Sequence, residues 1–160
     1  MPVFVGDPVS IKILPRLTAH RGKLLSGSPQ RGVPVHAATF IRRREIVLET
    51  ELTRKPSALR LITVHEIFHF AWARLGNSAR RAWAALLEAE AAAGARGELG
   101  ESSSVKKSRE CTSDYICESF CDTAAWLYAG VRRSPHFTLA PRWSARRRAW
   151  FEATFGATLK

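Results

Sequence analysis

The stretch Leu61–Trp72, LITVHEIFHFAW, constrains this chain more than any other. Apart from Thr63, its only polar side chains are His65, Glu66 and His69. A helix that is apolar nearly all the way round is a buried helix. Two imidazoles and a carboxylate inside it cost several kcal/mol unless they are paired or bound to something. His65 and His69 stand at i and i+4, so both rings leave one face of the helix about one turn apart. Two ring nitrogens so placed reach a single tetrahedral zinc at about 2.0–2.1 Å each. Glu66 falls beside such an ion, where it can take a proton from a water held there.

Two histidines do not complete a zinc site. Thr112 or Ser113 can cap a helix running to Ala129, with Gly130 after it. Asp114, Glu118 and Asp122 form a stripe at i, i+4 and i+8 on that helix, among Tyr115, Ile116, Cys117, Phe120 and Cys121. Like charges at this spacing repel on a bare helix, whereas a facing cation and histidine stabilise them. Glu118 is then the expected third ligand. Asp122 is expected to hold the far ring nitrogen of His65 and so fix its tautomer. The competing reading is an ordinary solvated acidic stripe.

His65-Glu66-x-x-His69 followed by Glu118-x-x-x-Asp122 resembles the gluzincin class of zinc metallopeptidases. The resemblance implies His65, His69 and Glu118 as ligands, Glu66 as general base and Asp122 as the residue orienting His65. It spans about Leu61–Leu127 and rests on five residues. The 48 residues between His69 and Glu118 make a longer gap than in the best-known gluzincins. An inserted helix and a loop account for it. The metzincin pattern is excluded, because Trp72 and Leu75 stand where it needs Gly and His. The chain is also similar to minimal gluzincins and to the ImmA/IrrE family of regulatory metallopeptidases, in which a sheet, an active-site helix and a glutamate helix make up nearly the whole catalytic unit. His136 resembles the downstream histidine that some gluzincins use at the oxyanion. Tyr115, Tyr128, Arg132 and Arg133 are the other candidates for that role.

The remaining residues predict the setting. Strands are expected at Pro2–Val5, Val9–Leu14, Val33–Ile41 and Glu45–Leu52, separated by Gly, Pro, Asp and Ser clusters. Glu45–Leu52 alternates in part, as a half-exposed strand does, and could be the edge strand above the zinc or an internal one. Helices are expected over Ser57–Leu75, over Ala79–Ala93, and from Pro141 to near Gly156. The Ser-rich run Arg96–Glu110 reads as a loop. The layout is α+β and zincin-like: one domain over residues 1–160, with a small N-terminal sheet, the active-site helix, the glutamate-bearing helix and a C-terminal helix.

The net charge is +11, and the excess sits at the two ends: residues 1–60 carry 11 basic and 4 acidic groups, residues 131–160 carry 7 and 1. Such ends attract nucleic acid or acidic proteins weakly, and Arg146-Arg147-Arg148 reads as a solvated face. Trp143 and Trp150, at i and i+7, share a core face. Cys111, Cys117 and Cys121 cannot all pair, and a buried thiol in a helix is usually a small hydrophobe; a regulatory or substitute-ligand role is the sharper reading of Cys111 or Cys121. No apolar run of membrane-spanning length and no leader pattern is present, so a cytoplasmic monomer is expected. The function expected is a zinc-dependent metallopeptidase acting on peptide bonds. The alternative is a non-catalytic zinc-containing regulatory or nucleic-acid-associated module.

Overall fold

A computed structural model describes residues 6–27, 32–107 and 111–156, so the expected strand Pro2–Val5 lies outside the described residues. The chain is α+β. Among the described residues six short strands come first: β1 (Ser10–Leu14), β2 (Thr18–His20), β3 (Lys23–Leu25), β4 (Val33–Pro34), β5 (Ala37–Phe40) and β6 (Glu45–Glu49). Five helices follow: α1 (Pro56–Arg74), α2 (Asn77–Ala92), α3 (Glu101–Lys106), α4 (Ser113–Tyr128) and α5 (Pro141–Phe155). No helix among the described residues is long and apolar enough to cross a membrane.

The strands form two three-stranded sheets, ordered β1-β6-β5 and β3-β2-β4. In the first, β1 runs parallel to β6 with Ile11 opposite Ile46, and β5 runs antiparallel with Thr39 also opposite Ile46. β6 is therefore the internal strand, and β5 is the strand that meets Glu66 of the long helix after the sheet. Ile46, Val47 and Leu48 are all buried, so the half-exposed alternation expected over Glu45–Leu52 does not occur. A central strand is covered on both faces and reads as a continuous apolar run. The chain leaves β6 in a 3₁₀ turn over Thr50–Arg54 that plants Leu52 in the core. The single run Val33–Ile41 divides between the sheets, as β4 and β5.

α1 lies between the sheet and the other helices, which explains its all-round apolarity. On one side Phe70 packs with Ile46, Leu48 and Leu52. On the other, Phe68 and Ala71 join Trp83, Leu87, Phe120, Cys121, Ala124 and Phe151 from α2, α4 and α5. The Phe120 and Phe151 rings stack with centroids 5.0 Å apart. Trp150 packs on Trp83 at 4.9 Å and Trp143 lies in a smaller cluster with Ala95, Leu99 and Leu139.

Two expectations fail here. Arg96–Glu110 holds the short helix α3, packed against α4. Arg147 is not solvated but fully buried, donating through Nε and Nη2 to Glu90 Oε2 at 3.0 and 2.8 Å and through Nη1 to Glu98 Oε2 at 2.7 Å. Glu98 also accepts from Tyr115 Oη at 2.6 Å and Lys107 Nζ at 2.7 Å, so the one guanidinium ties α5 to α2 and to the segment before α3.

Candidate metal centre

α4 begins where the sequence says it should. Thr112 caps it, its Oγ1 accepting from Tyr115 N–H at 3.3 Å, and this sets the phase that turns Glu118, Cys121 and Asp122 toward α1. Across that contact His65 Nδ1 donates to Asp122 Oδ1 at 2.8 Å, while His65 Nε2 lies 3.1 Å from Glu118 Oε2. The His65 and His69 rings sit edge to face with centroids 5.0 Å apart. His65, Glu66 and Asp122 are buried; His69 and Glu118 are half-buried.

The ring of His65 is held between two carboxylates. Burial alone would lower its pKa, but the hydrogen bonds to Asp122 and then Glu118 raise it to about 10. Burial likewise pushes the Asp122 carboxyl up, yet its bond to His65 and the Ser103 N–H hold it below the usual range. That Ser103 N–H, in the first turn of α3, donates to Asp122 Oδ2 at 2.8 Å. Both oxygens of Asp122 are thus committed. Gly100 lies so close that a Cβ there would come within 2.1 Å of Asp122 Cγ.

Three further contacts surround the two histidines. Thr39 on β5 donates its hydroxyl to Glu66 Oε2 at 2.6 Å, pinning that carboxylate against the sheet. Cys117 Sγ lies 3.6 Å from His69 Nδ1, the position an outer partner of a metal-binding histidine takes. The Cys121 sulfur and one ring nitrogen from each of His65 and His69 lie within 4.8 Å of one another. Hydrogen bonding from Cys121, and then His69, lowers the pKa of the Cys117 thiol against the effect of burial, while burial raises that of Cys121.

A cavity of about 240 Å³ opens beside this cluster, bounded by Thr39, Ile41, His69, Trp72, Ala73 and Cys117. A slightly larger one, about 280 Å³, lies on the β1 side of α1 near Val9, Ile67 and Arg74, and none of the cluster residues lines it. The remaining sequence candidates lie elsewhere. His136 is exposed, with Nε2 3.9 Å from Glu101 Oε2, and among the described residues no hydrogen bond or ion pair joins it to His65, Glu66, His69 or Glu118. Tyr115 Oη is spent on Glu98, and the Tyr128 ring stacks on Phe68 at 5.4 Å against the core. Arg132 and Arg133 are exposed. Asp114 is exposed and pairs with Lys106 at 3.4 Å.

Comparison of the chain with protein-family models, with curated proteins and with solved structures gives no match. What the cluster does must be read from its own chemistry. The donors that lie together are two imidazoles and the Cys121 thiol, with the Glu118 carboxylate reaching the His65 ring from outside that group. Donors of these kinds suit a divalent transition metal. The 3.1 Å between His65 Nε2 and Glu118 Oε2 is an ion-pair contact, and it is close to the spacing of about 3.3 Å between two donors on a tetrahedral zinc. Asp122 on Nδ1 leaves Nε2 as the ring nitrogen that would face an ion.

Proposed function

We propose that this chain is a zinc-dependent peptidase of the gluzincin kind, with a zincin-like arrangement of sheet and helices. The observation that carries the reading is His65 bridging Asp122 and Glu118 while His69 stands beside it on the same face of α1. His65, His69 and Glu118 would hold the zinc, with Asp122 and Cys117 behind the two rings. When bound, the ion supplies a Lewis acid that brings a coordinated water's pKa toward about 7.

The chain's own residues then divide the work. Glu66 follows His65 on α1, and the Thr39 hydroxyl on Oε2 fixes the carboxylate so that it does not swing into the ligand set. Its task is to accept the proton of the attacking water and pass it to the leaving amine. A peptide substrate would lie along β5, with one side chain in the cavity beside His69 and Trp72. His136, exposed and paired with Glu101, has no part in this account.

Zinc-loaded wild type and Glu66→Gln, assayed on a degenerate peptide library, test the reading. The variant is expected to keep its zinc and lose about 10²–10⁴-fold in cleavage rate. Equal cleavage by both proteins would contradict Glu66 as the base. A non-catalytic zinc module is the second reading, favoured by Cys121: four protein ligands close a zinc site, whereas a catalytic one keeps a position open. Zinc bound with no cleavage by wild type would select it.

A further inference from the structure

Resting on the metal-centre reading above, we propose that Cys121 is a fourth ligand of that centre, closing it into a latent state whose open position exists only when the sulfur is off the metal. Glu118 and Cys121 stand at i and i+3 on α4, so the carboxylate and the thiol leave the same face toward α1. The Cys121 sulfur already lies within 4.8 Å of one ring nitrogen on each of His65 and His69. In a tetrahedral zinc site nitrogen and sulfur donors stand about 3.5 Å apart, so these atoms would need to approach by about 1 Å to share one ion.

Cys121 is also wholly buried, within the core cluster that holds Phe68 and Phe120, so its sulfur faces the two histidines from the protein interior. Coordination is an exchange of partners with no redox step. The thiol proton leaves to solvent as the sulfur–metal bond forms, and water is displaced from the same position. A thiolate in the set also selects zinc or cobalt over magnesium, calcium and manganese. Cys117 is left in its place behind His69, bonded to the ring and not to the ion.

Cobalt(II) titrated into the metal-free full-length chain tests this by absorption spectroscopy, with Cys121→Ser, Cys117→Ser and Cys111→Ser beside the wild type. The expected result is a thiolate-to-cobalt charge-transfer band in the near ultraviolet for the wild type. That band is lost in Cys121→Ser, which still binds cobalt through its other donors, and kept in the other two variants. Cobalt bound by the wild type without the band overturns the proposal and leaves the centre built from His65, His69 and Glu118 standing. A band that survives in Cys121→Ser and disappears in Cys117→Ser or Cys111→Ser overturns it as well. If Cys121→Ser does not fold, a wild-type band kept in both other variants identifies the sulfur by elimination. Failure of the wild type to bind either cobalt or zinc overturns both this proposal and the metal-centre reading.

Discussion

His65 answers to three neighbours at once. Asp122 accepts a hydrogen bond from its Nδ1–H, Glu118 faces Nε2, and His69 stands edge-on to its ring. Because its pKa rises to about 10, the metal-free protein keeps this ring protonated through neutral pH. A folded pKa above the unfolded value means the folded state binds more protons in that window. The contribution to stability is complete below about pH 6.5 and is lost as the pH rises toward about 10. Melting temperatures of the metal-free chain should therefore fall across that range, and Asp122→Asn should flatten the fall. An equally steep fall in the variant would contradict the account. His65, Glu66 and His69 were legible as a group from the sequence because their polarity has no other place on so apolar a helix. Thr39 was not, since a threonine on a short strand carries no mark of the carboxylate it will meet across space.

At the scale of elements, the centre depends on α3 as much as on α1 and α4. Ser103 reaches Asp122 only because the chain turns at Gly100 against the carboxylate itself. The backbone at Gly100 is extended, and what requires glycine there is the close approach. Gly100→Ala should displace Asp122 from His65 and weaken zinc binding about 10–100-fold with the fold retained. Competition with a chromophoric chelator measures this, and wild-type affinity in the variant would contradict it. The sequence could not foretell α3, because six residues, ESSSVK, are too short to display a helical period and too Ser-rich to favour one. The long helices α1, α2, α4 and α5 were readable to within a few residues from apolar periodicity and their Pro, Thr and Gly boundary residues. Strand order was not, since whether β6 is central or at an edge depends on which strands pair with it.

At the scale of the whole molecule, a buried ionic node holds the helical layer in register behind the centre. Arg147 joins α5 to Glu90 on α2, to Glu98 before α3 and to Ser119 on α4, whose Oγ accepts from Nη1 at 3.0 Å one residue from Glu118. Burial pushes Glu90 up, whereas Arg147 and its own hydrogen bonds outweigh burial at Glu98 and hold it down. Removing the cation strands the buried Glu90 carboxylate and leaves Glu98 to Lys107 and Tyr115, so Arg147→Ala should cost about 3–5 kcal/mol in denaturant unfolding. A loss below about 1 kcal/mol, the scale of a surface pair, would contradict that role. The Arg146-Arg147-Arg148 run looked like a solvated face because composition cannot say which member of a charged run turns inward. A helix rotates its residues by fixed steps, and here it turns the middle arginine into the core.

The central claim is a zinc centre shared between α1 and α4, and its most direct test is zinc content per chain for wild type and Glu118→Ala, each stripped of metal and then re-equilibrated with limiting zinc. The account predicts one zinc per wild-type chain and a lost or much weakened site in Glu118→Ala. Zinc held as tightly by the variant as by the wild type, or by neither, would contradict it.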